Sequence, residues 1–368
     1  MRTYQYIYII GILIAYGLFS CTEERHIEVP SARRTVLVYM SGDNNLSDET
    51  YTKIDSITAG WHNRQDNLLI YQDARGEKGT PSLMRVIAND TKPYVEVIKE
   101  YPEDNSACAD VFSEVIHDAL SLYPAPGYGL VVFSHGTGWL PEGMFARPRS
   151  IMDDNGREME IADFARAIPD HTFSFIVLEA CLMSGVEVAY ELRHKADYLV
   201  ASSAEILSPG FTPIYPELIN YLFEREANLK GFVRSYYEYC NTLPGVYRSA
   251  TMSLIDLSAM DELAVAARSA LINPAKVDIN NVQCYDRGSN WLFFDLGDYM
   301  EQVNPSLYPL VESALNKAVV YKVSTPSFVN IPIRRYSGLT TYIEQPGYPE
   351  LNKAYRETRW GIQMIVDK

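Results

Sequence analysis

Gly129-Leu130-Val131-Val132-Phe133-Ser134-His135-Gly136 is an apolar run that stops at a histidine and a glycine. A second run of the same kind, Phe173-Ser174-Phe175-Ile176-Val177-Leu178, continues into Glu179-Ala180-Cys181. Short runs that are apolar at nearly every position predict strands buried on both faces. Each predicted strand therefore ends at a side chain that can take part in nucleophilic or acid-base chemistry. In an open parallel sheet, the carboxyl edge of the strands is where sites form.

Strands and helices alternate along most of the remaining chain. We predict further strands at residues 35–40, 67–73, 95–98, 197–202 and 252–256, and helices at 109–122, 161–168, 184–192 and 259–271. This alternation predicts an α/β fold, a three-layer sandwich with a mostly parallel central sheet. Beyond residue 271 the pattern loosens, so we predict that residues 35–271 form the main α/β domain. Residues 272–368 then form a smaller mixed C-terminal region that completes the fold.

The N-terminus has the features of an export signal. A basic Arg2 precedes an apolar stretch that is short for a membrane span, and Leu18-Phe19-Ser20-Cys21 follows. This segment resembles a bacterial lipoprotein signal peptide, which implies that residues 1–20 are removed and that Cys21 carries a lipid. An ordinary signal peptide or a single N-terminal anchor is the alternative. Residues 21–34 would be a lipid-anchored tether, and the protein an exported outer-membrane lipoprotein on the periplasmic or cell-surface face.

Charge and cysteine content narrow the class of protein. The formal net charge of −15 argues against binding nucleic acid or anionic lipid. Four cysteines follow the N-terminal segment without Cys-x-x-Cys spacing, which argues against a zinc site: Cys108, Cys181, Cys240 and Cys284. They allow three disulfide patterns, between which the sequence does not choose. No metal ligands are predicted.

His135 and Cys181 are the residues that carry the chemistry in this interpretation. They are 46 residues apart, and if their strands are neighbours, the strand ends lie about 5 Å apart. A helix starting near Ser184 would lower the pKa of the Cys181 thiol, and His135 would accept the thiol proton. The backbone N–H groups of Gly136 and Cys181 would stabilise an oxyanion. The alternative is a core cysteine beside an ordinary His-Gly turn.

Several blocks together resemble the clostripain family of cysteine peptidases, which are relatives of the caspases, gingipains and legumains. The blocks are residues 39–46, 128–139, 180–183, 186–192, 253–256, 294–296 and 337–342. The resemblance implies a caspase-like fold, a His135–Cys181 dyad and an acyl-enzyme intermediate, hence an exported cysteine endopeptidase acting on peptides or proteins. No cofactor is predicted from the residues, since no EF-hand-like loop is visible, but the resemblance leaves calcium as an alternative because it activates some relatives. The alternative is a catalytically weak or inactive surface binding protein on a peptidase fold.

Specificity is predicted from the same resemblance. Members of the family that cut after Arg or Lys generally have Asp two residues before the nucleophile, where this chain has Glu179. Glu179 would pair with a cationic substrate side chain, with Glu205 as a second acid and Trp139 as a wall of the groove. Alternatively, Glu179 is a structural acid that orients a loop N–H, and Trp139 is a packing residue.

The long loop after His135 contains two further basic residues. Arg147 and Arg149 resemble the sites at which relatives cleave themselves. Because the preference for basic residues is itself an expectation, we interpret them as solvated surface charges.

Overall fold

A nine-stranded sheet runs through the protein, with helices on both faces. The computed structural model describes residues 32–76, 79–142, 151–288 and 290–365. The strands are β1 Arg34–Gly42, β2 Asn67–Ala74, β3 Ser82–Ile87, β4 Tyr94–Glu100, β5 Gly127–Phe133, β6 Asp153–Asp154, β7 Arg157–Glu158, β8 Phe173–Glu179, β9 Ala196–Ala201, β10 Thr251–Asp256, β11 Phe294–Asp295, β12 Val319–Ser324, β13 Ser327–Phe328, β14 Ile331–Pro332 and β15 Thr340–Thr341. The helices are α1 Ser47–Gly60, α2 Ala109–Leu122, α3 Ile161–Ala167, α4 Val186–Glu191, α5 Tyr215–Tyr221, α6 Leu229–Thr242, α7 Met260–Ala270, α8 Leu296–Val303, α9 Tyr308–Ala318, α10 Pro349–Glu357 and α11 Arg359–Met364.

The strand order across the large sheet is β12-β10-β9-β8-β5-β1-β2-β3-β4. The five strands β9, β8, β5, β1 and β2 are parallel to one another. Both edges are antiparallel, through β3 and β4 on one side and β10 and β12 on the other. The predicted α/β class with a mostly parallel sheet is therefore confirmed. The antiparallel pairing at the edges, and strand β3, were not predicted.

The apolar character of the central strands follows from burial on both faces of the sheet. In β1, Leu37 and Tyr39 belong to the core beneath α2, α3, α4, α7 and α9. Val36 and Val38 belong to the opposite core, beneath α1, α5 and α6. Side chains alternate between the two faces of a strand, so each face needs its own apolar residues. The result is the predicted three-layer arrangement.

The C-terminal region is built into the same fold. Strand β12 pairs with β10 at the edge of the central sheet. The amide of Thr340 donates to the carbonyl of Ser184 at 2.8 Å, and the amide of Tyr342 donates to the buried carboxylate of Glu187 at 2.9 Å. Residues late in the chain therefore support the segment that directly follows Cys181.

The predicted signal peptide and Cys21 lie outside the described residues. Arg33 and Arg34, which we assigned to the tether, are instead held by the folded domain. Arg33 pairs with Asp66 at 2.7 Å, and Arg34 donates to the carbonyl of Leu222 at 2.8 Å. Across the ranges that the structure describes, no helix combines the length and apolarity needed to cross a bilayer.

Candidate active site

The register of two neighbouring strands brings His135 and Cys181 to one edge. Strands β5 and β8 are parallel neighbours in which Phe133 is paired with Glu179. His135 lies two residues after Phe133, and Cys181 lies two residues after Glu179. The two residues are therefore at the same position beyond the ends of neighbouring strands. The predicted juxtaposition rested on these strands being neighbours, and they are.

The two loops that carry these residues are packed directly on each other. A Cβ atom added to Gly136 would lie 2.8 Å from Cβ of Ala180 and 3.1 Å from the carbonyl oxygen of Cys181. Only glycine permits this approach, because side-chain carbons do not come that close to other atoms. Leu182, next to Cys181, has a φ of 62°, and its amide donates to the carbonyl of Ala204 at 2.9 Å. The chain therefore turns sharply after β8, and the hydrogen bond from Leu182 to Ala204 holds this turn in place.

His135 is half-buried, and its imidazole is held by one side chain. Nε2 lies 2.6 Å from Oδ1 of Asn45. An amide oxygen only accepts hydrogen bonds, so Nε2 donates and Nδ1 keeps its lone pair. Burial lowers the pKa of His135, while the carboxylate of Glu49 acts in the opposite direction. The imidazole is therefore neutral near pH 7 and able to accept a proton.

The Cys181 thiol is in a less activated state than the sequence suggested. Burial raises its pKa to about 11, although the amide of Ile206, 3.3 Å from the sulfur, partly offsets this. Among nearby charges, Glu205 and Glu49 raise the pKa and Arg287 lowers it. Helix α4 begins at Val186 rather than at Ser184. The predicted lowering of the thiol pKa is therefore wrong for this structure, and a thiolate requires transfer of the proton to a base.

Glu179 is buried and fully engaged by groups of the protein itself. Its Oε1 accepts from Nζ of Lys53 and from the amide of Phe211, both at 2.7 Å. Its Oε2 accepts from the hydroxyl of Tyr215 at 2.6 Å. This is the structural role that we kept as the alternative, including the oriented loop N–H. The carboxylate does not line an open groove, as the substrate-binding prediction required.

The other two predicted substrate contacts lie in different surroundings. Glu205 is half-buried and paired with Arg287, so it remains near the thiol but not free of a counter-ion. Trp139 is only 3% exposed and packs edge-on against Tyr342 and Tyr355. Its position corresponds to the packing alternative, and it ties the loop after His135 to the C-terminal region.

Sequence reasoning missed a polar stripe on and just before α1. Asn45, Glu49 and Lys53 are spaced by four residues and so lie on one side of the helix. Asn45 contacts His135, Glu49 acts on both reactive groups, and Lys53 holds Glu179. The spacing was visible in the sequence, but it did not say which element the stripe would face.

In the part of the chain that the structure describes, the cysteines form no disulfide and the acids form no group suited to a metal ion. Cys108, Cys181, Cys240 and Cys284 are all free thiols. Within residues 32–76, 79–142, 151–288 and 290–365, no three His, Cys, Asp or Glu side chains are grouped so that they could hold a metal ion. Arg147 and Arg149 lie outside the described residues.

Known proteins with solved structures share this architecture. A C11 protease from Parabacteroides distasonis, described as an inactive zymogen, is 31% identical with a TM-score of 0.82, covering 91% of this chain and 99% of its own. A secreted C11 cysteine protease from Bacteroides thetaiotaomicron, solved in complex with an irreversible peptide inhibitor, is 29% identical with a TM-score of 0.79, covering 91% and 100%. A cysteine protease from B. fragilis is 28% identical with a TM-score of 0.53, covering 58% and 96%. Among curated proteins there is no significant match.

The sequence model of the clostripain family, Peptidase_C11, matches residues 38–340, which contain both strand ends described above. That range is most of the chain. The protein therefore belongs to the clostripain family and is a cysteine protease.

Proposed function

We propose that this protease is an exported lipoprotein endopeptidase in which His135 and Cys181 form the catalytic dyad. The observation that carries the proposal is the register of β5 and β8, in which both residues follow the same strand pair. Only one histidine and one cysteine stand at this position, and both are partly accessible.

The chemistry follows from the resting protonation states. Nδ1 of His135 takes the proton of the Cys181 thiol as the sulfur attacks the carbonyl carbon of a peptide bond. The C–S bond forms, and the developing oxyanion is held by the backbone N–H groups of Gly136 and Cys181. The C–N bond then breaks as the imidazolium returns the proton to the leaving amine. Water, deprotonated by His135, releases the acyl group and restores the thiol.

Asn45 supports this sequence by holding the imidazole. Its oxygen fixes Nε2 as the protonated nitrogen, which leaves Nδ1 as the base. The raised pKa of Cys181 means that the nucleophile is generated only when a proton acceptor is correctly placed. If the imidazole of His135 were displaced, the Cys181 thiol would stay protonated and inert. The protein would then be the weakly active binding protein that we kept as the alternative.

The test is hydrolysis of a mixed peptide library by the full-length protein. We expect Cys181→Ala and His135→Ala each to lose roughly a hundredfold or more of the rate, as is usual for a nucleophile or general base. Cys108→Ala, at a half-buried thiol away from the dyad, is the matched control. Undiminished hydrolysis by Cys181→Ala would end the proposal. A wild-type protein that binds peptides without hydrolysing them would favour the binding-protein alternative.

The export proposal rests on the Leu18-Phe19-Ser20-Cys21 box, and it is supported by the description of the B. thetaiotaomicron relative as secreted. We expect the protein to partition into the detergent phase, and Cys21→Ser to abolish both partitioning and incorporation of labelled palmitate. An unmodified Cys21 in the purified protein would contradict it.

A further inference from the structure

The chain enters the fold at the edge of the sheet that lies opposite the reactive residues. Strand β1 begins at Arg34, at the amino end of the parallel strands, whereas His135 and Cys181 follow the carboxyl ends of β5 and β8. Strand β5 has seven residues, so the two edges lie roughly 23 Å apart at about 3.3 Å per residue. An anchor on the N-terminal segment would therefore hold the protein by the edge away from the dyad.

A cleft of about 440 Å³ opens at this amino edge, and we call it the amino-edge cleft. Its charged lining residues are Arg34, Asp197, Arg225, Glu226 and Lys230. They come from the starts of β1, β9 and α6 and from the loop between α5 and α6. The volume is within the range of sites that bind small molecules.

The cations of the amino-edge cleft have no carboxylate partner. The guanidinium of Arg34 donates to the carbonyl oxygens of Leu222 at 2.8 Å and of Glu224 at 2.9 Å. Arg225 and Lys230 are exposed, and neither forms an ion pair within the described ranges. Three positive charges therefore line the cleft without being neutralised.

The two acids of the cleft have no partner either. Asp197 and Glu226 are exposed, and in the described part of the chain neither carboxylate accepts a hydrogen bond or pairs with a cation. The cleft thus presents both signs of charge, although the protein as a whole has a net charge of −15. An anionic ligand would be repelled by the overall field of the protein, whereas a zwitterion has no net charge to be repelled.

Apolar side chains lie beside these charges. Tyr198 and Val320 line the same cleft and are 37% and 52% exposed. Tyrosine is enriched at membrane–water interfaces because its ring is apolar and its hydroxyl is polar. The cleft therefore combines charges of both signs with exposed apolar groups, which suits the region of a bilayer where head groups meet acyl chains.

We propose that the amino-edge cleft binds the phosphoethanolamine head group of a bilayer lipid. The anchored protein then stands with its amino edge on the membrane and its dyad facing away from it. This inference rests on the lipoprotein part of the proposed function, because the ten residues 22–31 that separate Cys21 from the described fold span at most about 40 Å. A domain held that close meets the bilayer at a high effective concentration, so even a weak head-group site orients it.

The head group suits the cleft by charge and by hydrogen bonding. Its phosphate diester carries one negative charge and only accepts hydrogen bonds, so it pairs with the cations Arg34, Arg225 and Lys230. Its primary ammonium donates three hydrogen bonds, as a lysine side chain does, and pairs with Asp197 and Glu226. A choline group has the same charge but no N–H, and a glycerol head group has no cation.

The first experiment titrates soluble head groups into the full-length protein in a maltoside detergent and measures binding by calorimetry. The ligands are glycerophosphoethanolamine, glycerophosphocholine and glycerophosphoglycerol, which share the phosphate diester and differ in the group beyond it. We expect the ethanolamine compound to bind roughly twofold to fivefold more tightly than the other two, as for one additional exposed ion pair. Equal affinities, tightest binding of another head group, or no binding at all overturns the assignment.

Two double variants separate the phosphate from the ammonium. Arg225→Gln with Lys230→Gln should weaken the binding of all three compounds by roughly fourfold to twentyfold, because the phosphate loses two cations. Asp197→Asn with Glu226→Gln should lower only the affinity for the ethanolamine compound, to that of the choline compound.

The matched control variants are Lys276→Gln and Glu350→Gln, at exposed residues outside the cleft, and both should bind as the wild type does. A preference for ethanolamine that survives the loss of both acids contradicts the proposed pairing.

The second experiment tests the orientation by hydrogen exchange. The acylated protein is reconstituted into vesicles of phosphatidylcholine and phosphatidylethanolamine, and its exchange is compared with that in detergent. We expect slower exchange of the amides of residues 225–230 in vesicles and unchanged exchange around His135. The variant Arg225→Gln with Lys230→Gln should lose this slowing. Slower exchange around His135 instead would place the dyad against the membrane and overturn the orientation.

These outcomes are separate from those of the catalytic proposal. Each variant should hydrolyse the mixed peptide library at the wild-type rate in detergent, because the cleft lies at the other edge of the sheet. An unmodified Cys21 in a protein that still binds the head group contradicts the lipoprotein proposal and the orientation, and supports the head-group site.

Discussion

Glu179 and Asp73 are two buried acids near the same edge of the sheet, and they differ in the partners that surround their carboxyl groups. Through β5 and β1, Glu179 is level with Gln72 on β2, so Asp73 lies one residue further along and faces the opposite layer. Glu179 receives an ammonium, an amide and a hydroxyl. Both oxygens of Asp73 are buried, and in the part of the chain that the structure describes only the hydroxyl of Ser106 and the carboxyl group of Asp154 act on it as weak partners.

The two acids differ because a cationic side chain lies beside Glu179, whereas acidic side chains lie beside Asp73. On the Glu179 side, α1 supplies Lys53. On the Asp73 side, the nearest charged groups are themselves acids, chiefly Asp154, with Glu103 and Asp43 further contributing. Burial and these neighbours raise the pKa of Asp73 to about 7. A buried carboxylate is thus stabilised either by a counter-ion or by a proton, and this protein uses one solution on each face of its sheet.

The largest effect is expected from removing the counter-ion. Burial raises the pKa of Glu179, so Lys53→Met leaves a buried carboxyl group that either stays ionised without its counter-ion or takes up a proton. Either outcome should lower the free energy of unfolding, by about 3 to 5 kcal/mol. Urea unfolding followed by tryptophan fluorescence measures the change. Lys353→Met, at an exposed lysine, should have little effect. The double variant Lys53→Met, Glu179→Gln should recover part of the loss, and a double variant as unstable as the single one would show that the charge is not the cause.

A smaller change in the free energy of unfolding, and one that is stabilising, is expected from replacing Asp73. Its pKa is higher in the folded protein, about 7, than the ordinary value of 3.8, so the stability that it contributes at low pH is lost as the pH rises through about 7. Asp73→Asn does not titrate, and should raise the free energy of unfolding at pH 8 by roughly 1 to 3 kcal/mol.

The pH dependence distinguishes this cause from a general change in packing. At pH 4.5 the gain from Asp73→Asn should be far smaller, because the folded wild-type protein is then protonated at that site. Asp55→Asn, an exposed acid on α1, is the control and should show no such dependence on pH. A gain of the same size at both pH values would count against an ionised Asp73.

The smallest effect is expected on catalysis, from removing the hydrogen bond between Asn45 and His135. Asn45→Ala should lower kcat/KM by roughly fivefold to thirtyfold, the loss expected for one hydrogen bond of about 1 to 2 kcal/mol. Asn45→Asp places a negative charge beside His135 and should shift the acid limb of the pH profile upward, a change that damage to the fold would not produce. Asn330→Ala, in an exposed turn, serves as the control. An unchanged profile in Asn45→Asp would remove Asn45 from the mechanism.

The central strands and the two reactive residues could be predicted because their signals are local. A strand buried on both faces is apolar along its whole length, as in β1 and β8, and a polar residue at its end stands out. The composition of β3 and β10 does not indicate whether they pair in parallel or antiparallel, because that depends on the connections that lead into each strand. The parallel centre of the sheet could therefore be predicted, whereas its antiparallel edges could not.

The surroundings of the site could not be predicted for a similar reason. Glu179 was expected to face substrate because it stands two residues before Cys181, but β8 ends at Glu179 and the chain turns there. The alternation of strand faces does not extend through that turn. Lys53 lies 126 residues away in the chain, and only the packing of α1 against the sheet shows that it satisfies Glu179. The raised pKa of Cys181 likewise results from burial, which the sequence does not display.

The hydrogen bonds from Thr340 and Tyr342 to the segment after Cys181 have a consequence for the timing of maturation. Synthesis proceeds from the N-terminus, so the nucleophile's turn is made long before the residues that brace it. A nascent chain that has not yet reached Thr340 lacks the bond to Ser184, and one that ends before Val319 also lacks the last strand of the sheet. The turn that carries the nucleophile is thus braced only by residues that are made long after it.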